Sequence, residues 1–138
     1  MTKTLQEIID DNPEAETFRF GDSPELCAEI IALVRSGTKT ATCEAASAYG
    51  AKGDAWPEVG RRDVALNWDG TPAVMIETVE VFTRRFSDMD TEFVAAQGEF
   101  RDLDHWQKGY QAYFTRNGGF AEDMKLMCER FKVIEDYA

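Results

Sequence analysis

The chain predicts an α+β domain built on a mainly antiparallel, partly closed β-sheet with flanking helices, and three observations carry that expectation. Strand and helix signals are segregated along the sequence instead of alternating, which disfavours a doubly wound parallel sheet. Asp69-Gly70 stands between two apolar, strand-like runs and is a hairpin signal, so those strands are antiparallel neighbours. The second run, from Pro72 to about Phe82, loses its alternation around Glu77 to Val79. A bulge there, or a strand passing between packing environments, is what a barrel-like sheet requires. At 138 residues the chain is long enough to bury a core as one domain. Residues 1–16 read as a short helix and connection, and residues 17–138 as the domain itself.

The elements follow in order. Leu5, Ile8 and Ile9 form a short apolar patch before the break Asp10-Asp11-Asn12-Pro13-Glu14. Phe18-Arg19-Phe20 alternates as a strand does, and Gly21-Asp22-Ser23-Pro24 then opens a helix, with Ser23 as cap and Pro24 in the first position. That helix, about Pro24 to Ser36, carries Leu26, Cys27, Ile30, Ile31, Leu33 and Val34 on one face. The alanine-rich stretch Glu44 to Tyr49 predicts a further short helix, and Gly50, Gly53 and Pro57 predict a loop. Val64 to Trp68 and Pro72 to Phe82 are the hairpin strands. Asp90 or Thr91 caps a helix containing Phe93, Val94 and Ala96. Asp102 or Asp104 starts another, with Leu103, Trp106, Tyr110, Tyr113 and Phe114 as an aromatic core stripe, and Asn117-Gly118-Gly119 ends it. Met127 to Ile134 alternates as a last strand, within which Glu129 and Arg130 need partners.

Composition narrows function. The net charge is −11, from 15 basic against 26 acidic residues, so a long nucleic-acid duplex is an unsuitable partner. A small nucleoside, or a short single strand in a local cleft, stays compatible, because net charge governs steering more than it governs a site. A single histidine, His105, excludes a histidine-based metal site or triad, and no metal or other cofactor is expected. Cys27, Cys43 and Cys128 match neither a disulfide framework nor a metal pair and are expected to be reduced and buried. No apolar run reaches membrane-span length and Met1-Thr2-Lys3-Thr4 lacks the order of an export signal, so a cytoplasmic protein without a membrane partner is expected. Neither a GxGxxG turn nor a GxxxxGK[ST] loop is present, so no dinucleotide or nucleoside triphosphate is indicated.

The functional interest centres on Gly37-Thr38-Lys39-Thr40-Ala41-Thr42-Cys43. Gly37 stops the preceding helix, so an amine and three hydroxyls follow in exposed loop or strand. Lys39 there is either a solvated charge or an active amine, since a desolvated lysine can take a proton from a nearby hydroxyl. On a straight strand Lys39 would face away from Thr40 and Thr42, so meeting Thr42 requires a turn or bulge between them.

Phe20-Gly21-Asp22-Ser23-Pro24, Ser36 through Thr42, and Cys128-Glu129-Arg130-Phe131 together resemble the bacterial branch of the ASCH domain family, in an order that covers nearly the whole chain. The resemblance implies a PUA-like β-barrel with helices at its openings, a cleft holding a Gly-x-Lys motif, and action on RNA or its nucleosides. Among similar members it implies ribonucleases and amidohydrolases that deacetylate N4-acetylcytidine, and in the wider superfamily plain RNA binders. Carried onto this sequence, the family lysine falls on Lys39, its threonine on Thr42 and its acid on Glu99. Two departures stand out: Glu44 occupies the position of a family arginine, and Gln97 that of an acid.

Deacylation needs a nucleophile, a base and a proton donor, and Thr42, Lys39 and Glu99 supply one of each, with direct attack by water equally compatible. The same cleft would serve a ribonuclease with Tyr49 or Arg130 at phosphate. For a cytosine-like ring, Phe20, Tyr49 and Trp56 are the candidate stacking faces and Asp22 and Glu129 the candidate edge readers, with Thr40 and Arg130 as further contacts. Trp56 beside Pro57 in a loop is more often a lid packed on the core than a stacking platform.

Overall fold

The computed structural model describes residues 3–50 and 55–138. Met1 and Thr2 of the N-terminal stretch, and Gly53 of the expected loop, lie outside the described residues. The first helix, α1 (Leu5–Asp11), starts on a capping box in which the Thr4 hydroxyl accepts from the Glu7 amide while the Glu7 carboxylate accepts from the Thr4 amide. A two-residue strand, β1 (Thr17–Phe18), leads into α2 (Pro24–Arg35), capped by Ser23 with Pro24 at its first position. Gly37 follows at φ 80°, the left-handed value that releases the chain from the helix.

Strand β2 (Ala41–Ala45) then begins. The helix expected over Glu44 to Tyr49 is confined to one 3-10 turn at Ala46–Ala48, because Glu44 and Ala45 are held in register against Met127 and Leu126. Strand pairing overrides alanine's preference for helix. Strand β3 (Arg62–Leu66) turns at Asp69-Gly70 into the 14-residue β4 (Pro72–Arg85). The interrupted alternation is a bulge, since Thr78 pairs with Phe131 and Glu80 with Arg130, leaving Val79 extra. Helices α3 (Thr91–Gln97) and α4 (Leu103–Arg116) are capped by Asp90 and Asp102, and β5 (Lys125–Asp136) closes the domain.

The five strands form one sheet in the order β1-β3-β4-β5-β2, with only the β1–β3 pair parallel. The sheet is not closed, and β1 and β2 are its two edges. Beyond the bulge β4 pairs only with β5, so different parts of the sheet pack against different helices. Helix α2 packs Cys27, Ile30, Ile31 and Val34 against Ala65, Val74, Ile76 and Phe131. Helices α3 and α4 pack Phe93, Val94, Trp106 and Phe114 against Ala41, Cys43, Leu126 and Cys128. A third cluster places Ile8 of α1 on the other face, with Val64, Leu66, Met75 and Tyr137. All three cysteines are free and buried. No described helix is long and apolar enough to cross a membrane, and no cluster of His, Cys, Asp and Glu among the described residues could hold a metal ion.

Candidate functional site

Between the sheet's two open edges lies a cavity of about 810 Å³, lined by β1 and its flanks on one side and by Thr42, Cys43 and Glu44 of β2 on the other. Helices α2 and α4 complete the walls, and the volume suits a small organic ligand. Strand alternation decides which side chains face inward. Glu129 pairs with Thr42, Met127 with Glu44, and Asp63 with Ile76, and all six line the cavity. A sheet face that a core would fill with apolar residues therefore carries a hydroxyl and three carboxylates.

Lys39 stands in the turn ahead of β2, so the period-two rule that would separate it from Thr42 does not apply to it. Its backbone amide donates to Leu33 O at the end of α2, and the next amide, of Thr40, donates 2.8 Å to Ala96 O at the end of α3. Helix α3 ends on Gly98 at φ 72°, where a Cβ would lie 2.6 Å from Thr38 O. Only glycine lets these two backbones touch. The contact brings Glu99 to Lys39: the amine, 2% exposed, donates 2.6 Å to Glu99 Oε2 and 3.3 Å to Gln97 O. Lys39 is thus a buried, paired amine and not a solvated charge. Gln97 is fixed from behind, its Oε1 accepting from Trp106 Nε1 at 3.2 Å and from the Cys43 thiol at 3.7 Å.

Lys39, Thr42 and Glu99 all line this cavity, although the amine's hydrogen bonds run to Glu99 and Gln97 and not to Thr42. Phe20 and Tyr49 also line it, and Trp56 stacks on Tyr49 with centroids 5.3 Å apart. Glu129 is buried in the inner face and accepts 2.6 Å from the Thr78 hydroxyl. Asp22, Thr40, Trp56 and Arg130 are not among the lining residues. Asp22 binds Arg116 through both oxygens and accepts from Asn117, holding its carboxyl down at about 2. Thr40 ties α3 to β5, since its carbonyl accepts from the Phe131 amide. Arg130 points outward to Glu80 and Glu92 over the Phe93 ring, away from any phosphate that would sit in the cavity.

Other lining residues escaped the sequence reading. Asp63 is buried at the start of β3, where Arg61 forks onto its Oδ2 at 2.9 and 3.1 Å and the Glu16 amide donates 2.9 Å to Oδ1. A buried acid at the head of an apolar strand was the available signal. Tyr110 and Tyr113 belong to the aromatic stripe of α4, yet both hydroxyls reach β2: Tyr113 donates 2.9 Å to Glu44 Oε2 and Tyr110 donates 3.5 Å to Cys43 O. Burial pushes both phenols up. It also raises the Cys43 thiol, and the Cys128 thiol to about 11, as packing cysteines behave.

A family model described as the ASCH domain matches residues 16–135. The chain belongs to the ASCH domain family. Among solved structures, the ASCH domain from Lactobacillus crispatus JV V101 is 30% identical, with 93% of this chain and 84% of that one covered and a TM-score of 0.81. Protein EF3133 from Enterococcus faecalis V583 is 28% identical, with 96% and 86% covered and a TM-score of 0.83. No curated protein matches the sequence. The ASCH domain here is therefore a PUA-like α+β domain of a family that in general binds RNA, and the cavity described above lies between β1 and β2.

Proposed function

We propose that this ASCH domain is an amidohydrolase that removes the acyl group from N4-acetylcytidine-type nucleosides. The observation that carries the reading is the buried Lys39 amine, 2.6 Å from Glu99, at the wall of a cavity that Thr42 also lines. Such a pair holds a proton in reach of both partners and out of bulk water. Attack on the acyl carbonyl by the Thr42 hydroxyl or by water needs that proton moved off the nucleophile and later onto the cytosine N4. Lys39 and Glu99 do both: one accepts the nucleophile's proton, and the pair returns it to the leaving amine. With water, the products are the carboxylic acid and cytidine. With Thr42, a threonyl ester forms first and water cleaves it.

Charge supports a neutral nucleoside over a polyphosphate chain. Among the described residues, six carboxyl groups line the cavity, from Glu16, Glu29, Glu44, Asp63, Glu99 and Glu129, against the four cations Arg19, Lys39, Arg61 and Arg116. Three of those cations are already paired, with Glu99, Asp63 and Asp22. A phosphate backbone would enter a field of its own sign.

The experiment is to incubate the purified protein with N4-acetylcytidine and, separately, with total RNA, and to follow both by mass. Loss of the acetyl mass from the nucleoside, abolished in Lys39→Met and Glu99→Gln, supports the reading. RNA shortened while the nucleoside is untouched makes the protein a ribonuclease. RNA bound at least about tenfold more tightly than nucleoside, with a steep salt dependence and no cleavage, makes it a binding module.

A further inference from the structure

The proposed chemistry uses Lys39, Thr42 and Glu99 and leaves unexplained why a second acid, Glu129, is buried directly across the strand pair from Thr42. Burying a carboxylate without a cation is costly, so its surroundings decide its state. From β4 the Thr78 hydroxyl donates to Oε2. From β3 comes Asp63, a like charge. The turn before β3 brings Arg61, but both of its hydrogen bonds to carboxylate go to Asp63. From β2 come Thr42 and, one pair along, Glu44. Lys39, across the cavity, is committed to Glu99. Two inner acids therefore share one guanidinium, and Asp63 holds it.

The two oxygens of Glu129 are not equivalent. Thr78 Oγ1 lies 2.6 Å from Oε2 and engages that oxygen within the wall; with the hydroxyl as donor, Oε1 is the oxygen free to carry a proton in the neutral acid. Among the described residues Oε1 has no hydrogen-bond partner, and it is not a sealed, unsatisfied atom. Glu129 lines the cavity, as do Ile76 and Met127.

We propose that Glu129 is the specificity-determining residue of this cavity: as a neutral acid it donates from Oε1 to a ring-nitrogen acceptor, selecting cytosine-type over uracil-type bases, and on ionising it loses that selection. Cytosine presents N3 as an acceptor, whereas uracil presents N3–H, which would oppose the Oε1 proton. The ionised carboxylate has the reverse preference, accepting from uracil and repelling the lone pair of cytosine. Burial, and then the charge of Asp63, push the Glu129 carboxyl up against the opposing pull of Thr78 and Arg61, which favours the neutral, cytosine-reading form. The inference rests on the nucleoside reading for the ring's presence in the cavity, but needs no turnover.

The test measures affinity for cytidine and for uridine by titration calorimetry, from about pH 5.5 to about pH 8, a range in which cytosine N3 stays unprotonated and uracil keeps its N3 proton. The wild type should favour cytidine by about tenfold or more at the acidic end and lose that preference as pH rises, since an opposed donor pair forfeits a buried hydrogen bond. In Glu129→Gln, Thr78 keeps donating to the amide oxygen and the amide N–H₂ faces the cavity, so the cytidine preference should persist and become independent of pH. Glu129→Leu should abolish it, with melting curves checking that it folds; if it does not, the glutamine variant alone decides. A wild-type preference that is flat with pH, a Glu129→Gln variant that loses the cytidine preference, or binding of neither nucleoside overturns the inference. Deacylation without base discrimination leaves the amidohydrolase reading intact and removes this one. Discrimination without deacylation does the opposite.

Discussion

The cavity holds two acid sites that the fold treats in opposite ways. At one wall Glu99 receives a dedicated cation, the Lys39 amine, which is itself sealed from water by the contact between the α2 and α3 termini. At the other, Asp63 takes Arg61 for itself, and Glu129 is left with a hydroxyl and a like-charged neighbour. A carboxylate with its own cation has a partner for its charge, at hydrogen-bond distance. One without a cation is pushed toward its neutral form, which can offer a proton as a hydrogen-bond donor. Position of the counter-ion, and not residue type, separates the proposed catalytic acid from the proposed base reader.

The largest expected effect comes from cutting the first arrangement. Lys39→Met strands Glu99 without its cation, and removing one partner of a buried pair costs about 3 to 5 kcal/mol, to be read in denaturant unfolding. Glu99→Gln leaves the amine a neutral acceptor and should cost less stability, while lowering deacylation about a hundredfold or more. If both variants deacylate N4-acetylcytidine like the wild type, the pair is structural only.

Gly98→Ala attacks the same wall through the backbone. The new Cβ would sit 2.6 Å from Thr38 O at a left-handed φ, so α3 must move off the Lys39 turn. We expect a loss of about 1 to 3 kcal/mol and, from the displaced Glu99, lower activity in the protein that remains folded. Unchanged stability would show that the two termini are not held as described.

At the second site the comparison is sharpened by pH. Glu129 titrates higher in the folded protein than in the unfolded chain, so its contribution is fully present below the ordinary carboxylate range and is lost as pH rises through the raised value. Glu129→Gln should therefore gain in melting temperature relative to the wild type at about pH 8 more than at about pH 4. A difference independent of pH would contradict the uncompensated acid.

The smallest effect is at the rim. The folded carboxyl of Asp22 lies at about 2, so the stability from its clamp on Arg116 is present above the usual carboxylate range and is lost as pH falls toward that value. The pair is exposed enough for solvent and salt to screen it, and Asp22→Asn should cost about 0.5 to 1 kcal/mol, less in high salt. Activity should change little.

Sequence by itself determined the elements, because their signals are local. Ser23 caps α2, the first residue of each of the pairs Asp90/Thr91 and Asp102/Asp104 caps α3 and α4, Asp69-Gly70 is the hairpin turn, and Val79 is the bulge in a strand whose alternation already faltered. The motif around Lys39 and its likeness to ASCH domains were legible for the same reason. Glu44 to Tyr49 was the local failure, where a long-range ladder to β5 outweighed alanine. Tertiary structure alone decided the site. Alternation shows that Glu129 and Arg130 face opposite ways but not which faces the cavity, so one became a buried acid and the other a surface ion pair. Asp63 and the α4 tyrosine hydroxyls became cavity groups only when the unclosed edges of the sheet were set against α4. Those placements depend on contacts between residues tens of positions apart, such as Lys39 with Glu99 and Thr78 with Glu129, and no local pattern encodes them.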